Sequence, residues 1–210
     1  MNLNPQPIPE QRNSTLVDLK EGLSYVISHP LIRALIGLVG MTALFGISFA
    51  TLIPAWAVKI LHGDASTNGF LQSARGLGAL ISALSIASLG RFKFKGKLLT
   101  FGTFAFPLGL MVFALLRWLP LSLLALVGVG GASILILNLA NALVQTLASD
   151  ELRGRVMSVY SLIFLGFMPI GGLLAGAVAE RTGEPWTVIL WSLILLASAA
   201  SIWAFLPKVR

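Results

Sequence analysis

After a polar start of about thirty residues, the chain alternates long apolar runs with short charged or Gly- and Pro-bearing turns. Six such runs fall at roughly 33–58, 67–90, 97–116, 119–147, 156–179 and 186–206. Each has about 19 to 29 residues, enough to cross a bilayer once tilt is allowed for. Lipid offers backbone N–H and C=O groups no partners, so each run is predicted to be a helix. The pattern therefore predicts an all-α integral membrane domain over residues 31–207, here called helices one to six. Residues 1–30 form a polar tail and 208–210 a short C-terminus.

Within the tail, residues 1–14 read as disordered. Ser14 or Thr15 is positioned to cap a short amphipathic helix over Leu16 to Ser28, with Asp18 completing a capping-box pattern after Thr15. Leu16, Leu19, Leu23 and Val26 or Ile27 share one side of it, and His29-Pro30 ends it. The pattern fits a helix lying along the membrane surface. Its polar face is too weakly basic for lipid recognition.

Small residues repeat at helical spacing in helices two and five. Helix two has Ala79, Ala83 and Ala87, while helix five has Gly171 and Ala175, with Gly172 and Gly176 forming a GxxxG pair. Such faces let another helix approach closely. Their recurrence in the second helix of each half suggests two triplets. With three helices each, the triplets are inverted relative to one another, as in many transporters.

Polar groups inside the apolar runs mark candidate sites. Arg75 falls in helix two, roughly 10–12 Å below that helix's outer end at 1.5 Å per residue. It either snorkels to the interface or points into an aqueous cavity toward an anionic or polar substrate group. Gln72, one turn earlier, shares its face. In helix four, Asn138, Asn141 and Gln145 lie within about 60° of one another. They either bond a neighbouring helix or line a cavity. Pro54, Pro107 and Pro169 each favour a kink, and bending at Pro54 and Pro169 could gate a pore. The loop before helix five carries Asp150, Glu151, Arg153 and Arg155. Glu151 and Arg155 are four apart and able to pair, which makes the loop a candidate latch.

Composition fits the membrane assignment. Residues are 56% hydrophobic and only 11% charged, with mean hydropathy +0.88. There is no cysteine, so disulfides and thiolate chemistry are excluded. The net charge of +7 sits at the ends of apolar runs and reads as a topology signal, not a nucleic-acid surface. With the N-terminus inside, Arg12, Lys20, Arg33, Arg91, Lys93, Lys95, Lys97, Arg153, Arg155, Lys208 and Arg210 are all cytoplasmic. Only Lys59, Arg117 and Arg181 face out. The bias predicts a multi-pass inner-membrane protein with both termini cytoplasmic. Trp56, Trp118, Trp186 and Trp203 fall at helix ends, where interfacial anchors belong. All eight acidic residues lie outside the helix centres, so no buried proton carrier is predicted. No Gly-rich phosphate loop, Ser/His/Asp set or His-rich cluster occurs, so neither an enzyme, a metal site nor a cofactor is expected.

Three stretches carry a family resemblance: DLKEGLSYVISHPLIRALI, GFLQSARGLGALISAL and NALVQTLASDELRGRVMSVYSLIFLGFMPIGGLLAGAVAERTG. From Leu16 onward the chain resembles the C-terminal half of a major facilitator superfamily transporter. Within that superfamily it is similar to the bacterial drug and siderophore exporter branch, which includes macrolide efflux and enterobactin export proteins. The resemblance implies half of that fold, with helices one and four lining a central cavity. Helices two and five would pack against the other half, and helices three and six would face lipid. The loop GRFKFKGK sits at the family's basic gating motif but lacks that motif's acidic partner. The implied function is secondary efflux of small, partly hydrophobic molecules by alternating access, from a truncated or split half-transporter. Its partners would be the bilayer, a small-molecule substrate, and either a missing N-terminal half or a second copy of itself. The alternative is a non-transporting scaffold or inactive fragment.

Overall fold

A computed structural model of the chain describes residues 15–88 and 95–205. The expectations for residues 1–14, Arg91, Lys93, Lys208 and Arg210 lie outside the described residues. Among those described, six helices are long and apolar enough to cross a membrane. They are Pro30–Lys59, Ala65–Ser88, Lys95–Leu115, Leu119–Leu147, Arg153–Thr182 and Glu184–Phe205. An N-terminal helix, Thr15–Ser28, precedes them. The protein is a multi-pass, all-helical membrane protein.

Helix one is not a single regular helix. Pro30 opens it at the first turn, where a missing N–H costs nothing. It is α-helical to Met41, a π-helix over Thr42–Gly46, a 3₁₀ helix over Ile47–Leu52, and α-helical again over Ile53–Lys59. The irregular part ends just before Pro54, whose ring clashes with the carbonyl four residues back. Ser48 Oγ donates to the Leu44 carbonyl at 2.6 Å and Thr51 Oγ1 to the Ser48 carbonyl at 2.8 Å. Hydroxyls thus occupy carbonyls along the disturbed ladder. In contrast, Pro107 and Pro169 sit inside helices that run on past them.

The packing is reciprocal. Helix two packs against helix four, and helix five packs against helix one. Helix three contacts four, and helix six contacts one. Helices three and six also meet each other. Exchanging triplet one for triplet two maps this contact pattern onto itself, as two inverted three-helix repeats require. It is the arrangement of half a major facilitator fold.

Helices three and six do not present their aromatic residues only outward. Phe106, Phe113, Trp191, Leu195 and Trp203 are buried in the bundle, while Phe101, Val112, Leu190 and Leu193 are exposed. Trp56 and Trp203 are likewise not interfacial anchors. Trp56 is buried and stacks on Phe113 with ring centroids 4.6 Å apart. Only Trp118 and Trp186, at 62% and 67% exposure, have the placement of an anchor.

Candidate functional site

Helix two starts where its cap dictates. Thr67 N donates to Asp64 Oδ1 at 3.0 Å, and Asp64 N donates to Thr67 Oγ1 at 3.3 Å. This is a reciprocal cap. The bond from the Thr67 backbone, foremost, holds the Asp64 carboxyl below its ordinary value. From Ala65 the helix runs about 15 Å to Arg75, which places Arg75 near the middle of 24 helical residues.

At that depth helices two and four touch through their backbones. A Cβ on Gly130 would overlap the Arg75 carbonyl, and one on Gly78 would overlap the Val127 carbonyl. Only glycine permits such an approach. The Arg75 side chain lines a cavity of about 280 Å³ beside this crossing. Ile47 and Phe49 of helix one, Gly76 and Ala79 of helix two, and Phe106 of helix three form part of its wall. Helix four contributes Val129, Ser133, Ile134 and Leu137, and helix five Phe164 and Met168. Arg75 is half-buried and has no hydrogen-bond or ion-pair partner among the described residues.

The other predicted cavity residues lie elsewhere. Gln72 is half-buried and Asn138 exposed, and neither lines the cavity. Asn141 and Gln145 bond each other, Nε2 of Gln145 to Oδ1 of Asn141 at 2.5 Å. They continue the helix-four stripe from Ser133 and Leu137 toward the N-terminal helix. Tyr160 of helix five donates to the Leu137 carbonyl at 3.2 Å, and Arg153 Nε donates to the Gln145 carbonyl at 2.9 Å. The stripe is therefore part of a helix-four to helix-five seam.

The latch residues are joined differently from the spacing argument. Arg153 pairs with Asp150 at 2.6 Å. Arg155 does not take Glu151 as its partner. It reaches the N-terminal helix, pairing with Asp18 at 2.8 Å and with Glu21. Gly22 lies against the Arg155 backbone, and Ser149 N donates to the Tyr25 hydroxyl at 3.3 Å. Glu151 is exposed and borders a hollow of about 550 Å³ with Asp18, Gly154 and Ser158.

The small-residue faces separate into two groups. Gly171 lies against the Leu44 carbonyl and Ser48, and Gly172 against Thr51, all of helix one. Ala175 is fully buried in the same seam, within this chain rather than facing a second unit. Gly176 faces open space. On helix two, Ala79 borders the cavity, Ala83 is half-buried and Ala87 exposed. The close approach to helix four uses Gly78 instead. Pro54 and Pro169 are both exposed.

Sequence reasoning missed four features. Ser133 sits in a run of small residues, GVGGAS, whose periodicity hid the single hydroxyl. Phe106 and Phe164 read as ordinary apolar positions. The Asp18 and Glu21 pair had a usable signal, two acids on one helix face opposite an arginine-bearing loop. Glu184 was read as peripheral. It is buried at the start of helix six and bonded to Lys59 at 2.6 Å, joining that helix to the end of helix one.

Comparison with known proteins places this architecture. Residues 3–210 match the family described as transmembrane secretion effector. Over 200 residues the chain is 29% identical to the multidrug efflux pump Tap of Mycolicibacterium fortuitum, covering 94% of this chain and 48% of that protein. Over 172 residues it is 28% identical to the enterobactin exporter EntS of Citrobacter koseri, covering 82% and 41%. Over 200 residues it is 25% identical to EntS of Escherichia coli, covering 90% and 47%. The chain spans about half the length of the curated relatives it matches. With six reciprocally packed membrane helices and a match along nearly all of its length, the chain belongs to the transmembrane secretion effector family of the major facilitator superfamily.

Proposed function

We infer that this chain is a six-helix unit of a secondary efflux transporter, moving small, partly hydrophobic molecules by alternating access together with a second six-helix unit. One observation carries the reading: a cavity near mid-membrane, lined from five helices and holding a lone guanidinium. Transporter sites lie at such depths, where the repeats meet. The names of the relatives, a multidrug pump and siderophore exporters, support export as the direction. The second unit would be provided by the rest of the transporter or by another copy of this chain. Arg75 and the aromatic wall would hold the substrate. Arg153 and Arg155, with Asp150, Asp18 and Glu21, would act as a latch on the cytoplasmic side, formed in one conformation and opened in the other.

The reading is tested by accumulation in a bacterial host stripped of its own efflux pumps. A panel of a lipophilic dye, a macrolide and a catecholate siderophore is measured with and without a protonophore. Expression of the polypeptide carrying these helices is expected to lower accumulation of at least one compound several-fold, and Ser133→Trp, which fills the cavity, to abolish the effect. Unchanged accumulation of the whole panel, with the protein demonstrably in the membrane, would refute the reading.

A further inference from the structure

The donor and acceptor balance of the cavity wall narrows the substrate class, and this step rests on the transport reading above. Two of the lining side chains are polar, Arg75 and Ser133. The Ser133 hydroxyl already donates to the Gly130 carbonyl at 2.8 Å, so its hydrogen is taken and it can only accept. Arg75 carries five N–H donors and no acceptor, and keeps its charge. Every hydrogen that the lining side chains can offer a guest therefore comes from the guanidinium. The rest of the lining is apolar and aromatic, with Phe49, Phe106 and Phe164.

Among the described residues, the charge has no counter-ion nearby. The described acidic residues Asp18, Glu21, Asp64, Asp150, Glu151, Glu180 and Glu184 lie in the N-terminal helix, in loops or at helix ends, and none lines the cavity. A half-buried, unpaired cation is costly. A guest bearing an anionic acceptor group would offset that cost through charge-assisted, bidentate hydrogen bonds. A permanent cation would be repelled through a medium that screens poorly.

We propose that the Arg75 cavity takes a singly charged organic anion with a flat apolar body. Its carboxylate or sulfonate sits on the guanidinium and its rings lie against Phe164 and Ile134, both half-buried on the cavity wall. The part of the cavity that this chain encloses, about 280 Å³, accommodates a molecule of two or three rings.

The test uses two fluorescent probes with nearly the same rings, anilinonaphthalene sulfonate and uncharged phenylnaphthylamine. Each is titrated onto the protein in nanodiscs of neutral phosphatidylcholine, with empty nanodiscs as baseline. The sulfonate is expected to bind about tenfold more tightly than the amine, the gain of one charge-assisted contact. Arg75→Gln should remove that preference and leave the amine within about twofold, while Arg75→Lys should keep part of it. Equal affinities in the unaltered protein overturn the proposal. That result would follow if a carboxylate from elsewhere in the transporter already neutralised Arg75. Should Arg75→Gln fail to fold, the two probes on the unaltered protein and on Arg75→Lys still decide. Ser133→Trp and Ala79→Trp report on the cavity separately. If neither weakens either probe, the cavity is not the binding site, and the function proposed for it falls as well.

Discussion

Single glycines set the distance between helices two and four, and with it the position of Arg75. Gly78 admits the Val127 carbonyl and Gly130 the Arg75 carbonyl, so a methyl group at either must push backbone aside. Overpacking of this kind costs about 1–3 kcal/mol. Gly128, between Val127 and Gly130 but turned away from the crossing, has open space around the place a Cβ would occupy. There alanine replaces the most flexible residue without a clash, a gain of about 0.5–1 kcal/mol in a helix. Gly78→Ala and Gly130→Ala should therefore lower the thermal midpoint in detergent, while Gly128→Ala should hold or raise it. Equal shifts in all three would show that the crossing is looser than drawn. The sequence displayed these glycines but not their partners. A GxxxG pair such as Gly172 and Gly176 names a face, yet Gly172 meets Thr51 while Gly176 meets nothing. Which glycine is used depends on the rotation of one helix against the next, and composition does not encode that.

Among the elements, the N-terminal helix and the loop before helix five form one unit. The existence of the amphipathic helix was legible from its leucine spacing and cap, and the loop's charges were legible as a candidate latch. Their partnership was not, because Asp18 and Arg155 are far apart in sequence and spacing rules reach only one helical turn. Arg155 is the joint: it holds Asp18 and Glu21 and receives Gly22 against its backbone. Each exposed ion pair contributes only about 0.2–1 kcal/mol. The helix should thus be held reversibly and loosened by salt. Hydrogen exchange over residues 15–28 is expected to speed up several-fold in Arg155→Gln, and to move the same way in the unaltered protein at high ionic strength. Exchange indifferent to both would mean that leucine packing alone holds the helix. The irregular middle of helix one shows the opposite case. Pro54 announced a disturbance, but the π-helical turn over Thr42–Gly46 follows from packing: a Cβ on Gly46 would strike the Phe106 ring.

For the whole molecule, the number of spans was readable because lipid forces continuous apolar helices, whereas the small-residue face read on helix two is not the one that packs, since the close approach to helix four uses Gly78. Of the candidate site, only Arg75 stood out in the sequence, since a lone cation in an apolar run is visible while a buried phenylalanine is not. The remaining global question is which end of the bundle faces the cytoplasm, and the distribution of basic residues bears on it. Lys20, Arg33, Lys97, Arg153 and Arg155 sit on the N-terminal helix or at membrane-helix ends on the same side of the bundle, while Lys59, Arg117 and Arg181 sit at the opposite ends. Basic residues are retained on the cytoplasmic side. The chain contains no cysteine, so single cysteines report cleanly. Ser66 and Ser149 are both exposed and lie at opposite ends of the bundle. With an impermeant maleimide on intact cells, Ser66→Cys should label at once and Ser149→Cys only after permeabilisation. The reverse result would invert the topology and place the Arg155 latch outside. Labelling of both on intact cells would mean that the charge bias does not fix a single orientation. Only the expected result keeps the proposed latch in the compartment from which an exporter collects its substrate.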